Sequence, residues 1–94
     1  MNFYDFTQIK AVADCAAVAR DLLGMQVSPE GRCAATWRGG DNPESVSINK
    51  DGWHDFGTEE SGSVIDLVAR VRCGGNVMEA QEILGVYLHL SPKM

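Results

Sequence analysis

The chain has 94 residues, of which 45% are hydrophobic, and a formal net charge of −5. This length predicts a single domain over residues 1–94, and the negative charge argues against strong sequence-independent binding to phosphate backbones, which needs clustered Lys and Arg. The sequence holds neither an apolar run of about 18 residues nor the basic and apolar start of a secretory signal, and its three cysteines are widely spaced. We therefore expect a cytoplasmic protein with reduced thiols and no membrane partner.

The first predicted element is a helix over residues 7–23. Apolar residues such as Ile9 and Val12 recur at helical spacing, and a second apolar stripe beside them widens the arc that the helix should bury. Thr7 is the expected N-cap, and Gly24 is a typical residue to follow the helix end.

Three short strands are predicted next, over residues 32–38, 45–49 and 52–56. The second alternates most clearly, with Val46 and Ile48 on one face. The segment "KDG" between the last two strands predicts a tight two-residue hairpin. The middle of the chain should therefore form a small antiparallel sheet.

A helical period returns after Ser63, which forms a predicted capping box with Asp66. After a Gly-Gly pair, Asn76 and Glu79 mark the start of a last helix. The fold class is therefore α+β, with a small antiparallel sheet of about three or more strands flanked by N-terminal and C-terminal helices.

Six sequence elements cover nearly the whole chain in a characteristic order. They are "QIKAVAD" (8–14), Cys33, "PESVSI" (43–48), "WHDFGT" (53–58), "SGSVIDLV" (61–68) and "MEAQEILG" (78–85). In this order and at these spacings they resemble the N-terminal zinc-binding domain of bacterial and phage DNA primases. The resemblance implies a zinc-ribbon-like fold and a place in the DNA replication of a phage or mobile element.

The resemblance implies metal-ligand positions at Cys33, Thr36, Asp55 and Thr58, of which only the first is a cysteine. A structural zinc site needs four ligands, mostly thiolate or imidazole. His54 cannot complete the set, because it and Asp55 are neighbours on a strand and point to opposite faces. We therefore expect a degenerate ribbon with no zinc or other cofactor. Apolar burial should replace the metal, through Trp37, Val46, Ile48, Trp53 and Phe56.

In the resembled family the ribbon face contacts the single-stranded template, where aromatic side chains stack on bases and Lys or Arg binds phosphate. Alternation along 32–38 predicts that Arg32 and Arg38 share one strand face. The candidate nucleic-acid-binding residues are Arg32, Arg38, Lys50, Trp53 and His54. Acidic residues in the same segment oppose this assignment, and whether Trp37 and Trp53 face inward or outward stays open. These acids are Asp41, Glu44, Asp51 and Asp55.

Two catalytic interpretations are weaker than their structural alternatives. One is a Mg²⁺ site in the acidic cluster, but no basic residue or Gly-rich loop accompanies it to bind phosphate, so a solvated helix start is favoured. The cluster consists of Asp55, Glu59, Glu60 and Asp66. The other is a Cys33 nucleophile with His54, for which the sequence shows no orienting group. In the resembled family catalysis belongs to a separate domain, so we expect no enzymatic activity.

Two functions are consistent with these observations. The first is a non-catalytic replication accessory that binds single-stranded DNA weakly or acts near a replication complex. The alternative is a metal-free adaptor that docks to a polymerase, primase or helicase. The ribbon resemblance favours the first, and the acidic charge favours the second.

Overall fold

The computed structural model describes residues 2–93, which form four α-helices, one 3₁₀ turn and a four-stranded antiparallel sheet. The strands follow the spatial order β1-β2-β3-β4, so each pairs with its neighbour in sequence. The elements are α1 (Phe6–Val12), α2 (Cys15–Asp21), β1 (Arg32–Cys33), the 3₁₀ turn (Thr36–Arg38), β2 (Val46–Ile48), β3 (Trp53–Asp55), β4 (Glu60–Gly62), α3 (Val64–Arg72) and α4 (Val77–Tyr87). The predicted α+β class is confirmed, with helices before and after the sheet along the chain.

The predicted single helix over 7–23 is wrong, because the backbone becomes extended at Ala13 and restarts as α2. Asp14 caps the new helix by accepting a hydrogen bond from the amide of Ala17. The amide of Cys15 donates to the carbonyl of Lys50 at 3.0 Å, in the turn between β2 and β3. The break therefore lets the start of α2 dock on the sheet.

Two of the four helix starts carry the side-chain caps that the sequence predicts. Ser63 and Asp66 form the full capping box of α3, and Asn76 caps α4. The predicted N-cap of α1 was wrong by two residues. The side chain of Asp5, and not that of Thr7, accepts hydrogen bonds from the free amides of the first turn. A carboxylate at this position also interacts favourably with the positive end of the helix dipole.

The sheet differs from the prediction in its strand lengths and number. β1 is only two residues long, because the chain turns into the 3₁₀ segment where the sequence suggested a strand over 32–38. The strand β4 was not predicted. The predicted two-residue hairpin between β2 and β3 is confirmed, because the amide of Asn49 donates to the carbonyl of Gly52 at 2.9 Å and leaves Lys50 and Asp51 as the loop. The side chain of Asn49 also accepts hydrogen bonds from the amides of Asp51 and Gly52, which makes this loop an Asx turn.

The inner face of the sheet packs against the helices. Cys33, Val46 and Asp55 lie side by side on β1, β2 and β3, and all three are buried. Ile48 and Trp53 form the next buried row. The apolar core continues into the helices through Ile9, Val18, Leu67, Val68 and Leu84.

The N-terminal segment is held against α4 by a buried amide. The side chain of Gln81 accepts from the amide of Tyr4 at 2.7 Å and donates to the carbonyl of Asn2 at 2.8 Å. The ring of Tyr4 lies directly on the backbone of Gly85, where a side chain would overlap it. Phe3 forms an isolated antiparallel bridge with Lys93.

Candidate nucleic-acid interface

The outer face of the sheet carries one polar residue from each strand. Arg32, Ser47, His54 and Ser61 lie in register across β1, β2, β3 and β4. Alternation along each strand turns these side chains away from the core. A shallow groove of about 410 Å³ runs along this face, with Ser47, His54 and Ser61 among its lining. We call this surface the outer sheet face.

An exposed aromatic ring lies at one end of the outer sheet face. Phe56 follows β3 and remains 49% exposed. The guanidinium carbon of Arg32 lies 4.8 Å from the centre of its ring, and the imidazole of His54 meets it edge-on with centroids 4.6 Å apart. A cation and an imidazole thus hold an exposed apolar ring in place, an arrangement suited to stacking with another flat ring.

Arg32 is the free positive charge of this surface. Its Nη2 donates to the carbonyl of Glu44 at 2.7 Å, and within residues 2–93 it has no carboxylate partner within 4 Å. Nearby acids limit the positive potential, since the carboxylate of Glu59 lies 3.2 Å from Nε2 of His54 and Asp51 lines the groove. The local electrostatics therefore fit weak rather than strong anion binding.

Two of the predicted contact residues do not join the outer sheet face. Trp53 is only 4% exposed, and its indole N–H donates to the carbonyl of Ser63 at 3.0 Å. The ring of Trp37 packs edge-on against it at 5.3 Å. This settles the orientation that the sequence left open: Trp53 is a core residue and offers no ring for stacking.

Arg38 is the second correction. Because β1 ends at Cys33, Arg38 lies in the 3₁₀ turn and does not share a strand face with Arg32. Its guanidinium binds Asp55 on the inner side of the sheet. Lys50 is exposed in the β2–β3 turn. The structure thus brings Arg32 and His54 together and separates them from Arg38 and Trp53.

The four ligand positions implied by the resemblance do not fit a zinc ion. Cys33 and Asp55 are buried on either side of Val46, on the two strands that flank β2. However, both carboxylate oxygens of Asp55 accept hydrogen bonds from Arg38. Burial, and then the charge of Asp55, raise the pKa of the Cys33 thiol. Thr36 is exposed and adds no suitable donor. Across residues 2–93 no three His, Cys, Asp or Glu side chains gather where they could share a metal ion.

The bidentate ion pair gives Asp55 unusual electrostatics. Arg38, and then the amide of Gly57, lower the pKa of its carboxyl to about 2 against the cost of burial. Thr58, also a position implied for a ligand, is exposed in the turn that follows. An ion pair with Arg38 therefore occupies Asp55, one of the four ligand positions that the resemblance implies.

The catalytic interpretations have no support in the geometry of the described residues. Cys33 lies on the inner sheet face and His54 on the outer one, so the two side chains are separated by the sheet. In the acidic cluster, Asp55 binds Arg38, Glu60 binds Arg70 and Asp66 caps α3. Each of these carboxylates already has a structural partner.

Sequence reasoning placed Phe56 in the core and so missed its exposure. Strand alternation carried the correct signal: with Trp53 and Asp55 inward, His54 and Phe56 point outward.

Comparison of the chain with protein-family models, with curated proteins and with solved structures finds no match. Within residues 2–93 no helix has the length and apolar character needed to cross a bilayer.

Proposed function

We propose that the protein is a non-catalytic accessory of DNA replication that binds short single-stranded DNA weakly through its outer sheet face. The observation that carries this proposal is the exposed Phe56 ring, held between Arg32 and His54. The link to replication rests on the resemblance to the primase zinc-binding domain. The proposal requires neither a metal nor a cofactor.

The chemistry of the surface suits a single strand better than a duplex. A base stacked on Phe56 would gain contact with an aromatic ring, at about 1–3 kcal/mol per base. Arg32 lies beside that ring and would pair with the neighbouring phosphate. Lys50 is exposed farther along the sheet and extends the positive charge. The net charge of −5 keeps the long-range attraction small, so stacking should dominate the affinity.

Fluorescence anisotropy with a labelled oligonucleotide of about 10 nucleotides tests this proposal. We expect binding at low salt that weakens at physiological salt. Phe56→Ala should weaken binding by about tenfold, since one stacked base is lost. Arg32→Gln should weaken binding and reduce its dependence on salt.

Phe3→Ala is the matched control, because Phe3 is equally exposed but lies at the N-terminal segment. It should leave DNA binding unchanged. Absence of binding at low salt, or equal effects of Phe3→Ala and Phe56→Ala, would contradict the proposal. Arg38→Ala is not informative here, because that residue holds Asp55 in the interior.

The adaptor role remains a second candidate because of a different surface. Leu22, Ile83 and Val86 line an apolar groove at the ends of α2 and α4, away from the outer sheet face. Such an exposed apolar groove is typical of a surface that contacts another protein. A replication protein such as a polymerase, primase or helicase would be its partner in the context that the resemblance implies.

A further inference from the structure

The imidazole of His54 already has an anionic partner on the outer sheet face. The carboxylate oxygen Oε2 of Glu59 lies 3.2 Å from the Nε2 atom of the ring. A carboxylate only accepts hydrogen bonds, so Nε2 carries the hydrogen of this contact, whether or not the ring is charged. The side chain of His54 is about one-third exposed, and the ring of Phe56 packs against it. Glu59 therefore binds an N–H donor of the proposed contact surface.

The turn between β3 and β4 brings Glu59 to this position. Glu59 is the last residue of the turn, and its amide donates to the carbonyl of Asp55 at 2.7 Å. Its φ of 60° lies in the left-handed region, which favours glycine. Among the described residues other than glycine, His89 alone shares this conformation. The side chain of Glu59 is 75% exposed, so it can leave His54 without unpacking the fold.

The neighbouring carboxylates differ from Glu59 in their partners. Glu60 accepts two hydrogen bonds from the guanidinium of Arg70. Asp51 lines the groove beyond the opposite end of β3, and within residues 2–93 it forms no ion pair. Of these three acids, Glu59 is the one that binds a candidate DNA-contact residue.

We infer that Glu59 is an internal competitor of DNA, because its carboxylate occupies the position at His54 where a phosphate of the bound strand would accept a hydrogen bond. Carboxylate and phosphate oxygens are both negatively charged acceptors, so they compete for the single N–H group of Nε2. A strand has to displace Glu59 from His54 to use this donor. The inference rests on the proposed function, since it describes how the same surface receives single-stranded DNA.

Anisotropy titrations of the full chain with the same labelled oligonucleotide at low salt test this competition. Glu59→Gln keeps the length of the side chain and removes its charge. Glu59→Gly removes the side chain altogether and suits the left-handed backbone. We expect both variants to bind the oligonucleotide about threefold more tightly than the parent chain, the change in affinity that corresponds to the loss of an exposed ion pair.

Two further variants separate competition at His54 from a general electrostatic effect. Asp51→Asn removes the same charge from the same face but breaks no contact with His54, so it should strengthen binding less than Glu59→Gln does. His54→Phe keeps a flat ring against Phe56 but has no N–H group. When Glu59→Gln is added to His54→Phe, it should strengthen binding no more than Asp51→Asn does in the parent chain.

Three results would overturn the inference while leaving DNA binding by the parent chain intact. The first is an equal gain in affinity in Glu59→Gln and Asp51→Asn, which would mean that only net charge matters. The second is the same gain from Glu59→Gln with and without His54→Phe, which would mean that His54 is not the group in competition. The third is weaker binding by Glu59→Gln, which would show that the carboxylate positions His54 for DNA. If the parent chain does not bind the oligonucleotide at low salt, the proposed function is wrong and this inference with it.

Discussion

Arg38 binds the buried carboxylate of Asp55 with two parallel hydrogen bonds, from Nε to Oδ2 at 2.8 Å and from Nη2 to Oδ1 at 2.9 Å. The amide of Gly57 donates a third bond to Oδ1 at 2.9 Å. Charge-assisted bidentate pairs of this kind are strong and geometrically specific. The pair links the 3₁₀ turn to β3.

Removing Arg38 should destabilise the fold more than removing Asp55. Arg38→Met leaves a fully buried carboxylate without its cation, and we expect the free energy of unfolding to fall by about 3 kcal/mol. Asp55→Asn should cost less, because the side chain of Arg38 is about one-third exposed and can turn into water. Denaturant unfolding of both variants measures the difference.

Arg70→Met is the matched control for Arg38→Met. Arg70 also forms a bidentate pair, with Glu60, but both partners are substantially exposed. Such a pair contributes about 0–1 kcal/mol. Equal losses in Arg38→Met and Arg70→Met would show that burial of Asp55 does not determine the effect.

The Arg38–Asp55 pair should make the fold sensitive to acid. The pKa of Asp55 is about 2 in the folded chain and about 3.9 in an unfolded one. The stabilisation is therefore complete above about pH 4 and is lost as the pH falls toward the folded pKa. Unfolding free energies measured between about pH 6 and pH 2 should fall less steeply in Asp55→Asn than in the parent chain. Parallel pH profiles would contradict the assignment.

The resemblance to a zinc ribbon can be tested by restoring the implied ligands. The parent chain, purified without a histidine tag, should contain no stoichiometric zinc, and chelators should leave its Tm unchanged. The variant Arg38→Ser/Thr36→His/Asp55→Cys/Thr58→Cys, together with the native Cys33, supplies four ligands at zinc-ribbon spacing. We expect it to bind zinc and to become more stable with the metal.

Elemental analysis and melting with and without zinc check this prediction. The same variant with Cys33→Ser keeps only three protein ligands and serves as its control. Stoichiometric zinc in the parent chain would overturn the metal-free interpretation. If the variant with the restored ligands does not bind zinc, these four positions do not correspond to the ligand positions of a zinc ribbon.

The contact between Tyr4 and Gly85 predicts that a substitution favoured by helix propensity will nevertheless destabilise the protein. Gly85→Ala should favour α4 by about 1 kcal/mol on propensity alone. Its methyl group would overlap the buried ring of Tyr4, so we expect a net loss of about 1–3 kcal/mol in unfolding free energy. The double variant Tyr4→Ala/Gly85→Ala should lose less than the sum of the two single changes. A stabilised Gly85→Ala protein would contradict this contact.

Local signals in the sequence predicted most of the helical architecture. The capping box of Ser63 and Asp66 and the cap of Asn76 depend on residues within one turn, so spacing alone identifies them. The β2–β3 pairing was also predictable, because its alternation and its turn are adjacent in sequence. These elements are formed by contacts between near neighbours.

The features that sequence did not reveal depend on distant partners. The break at Ala13 is stabilised by carbonyls of a turn more than 30 residues later. The strand β4 has no apolar alternation; it pairs with β3 and is tied by Glu60 to Arg70 on α3. The pair of Arg38 and Asp55 joins residues separated by 17 positions, and no spacing rule connects them.

The candidate interface was predicted only in part for the same reason. Arg32 and His54 were identified from residue type, and the structure places them together around Phe56. Trp53 was misassigned because an aromatic residue on a strand has the same sequence signature whether it faces the core or the solvent. The short length of β1 then removed Arg38 from the expected face.

The bridge between Phe3 and Lys93 brings the two ends of the described chain together. A short linker across this point would create a closed chain, which could be reopened in the exposed stretch 39–44 between the 3₁₀ turn and β2. Such a circular permutant would cut no helix or strand. We therefore expect the spatial arrangement of this domain to be independent of the order in which its segments are synthesised.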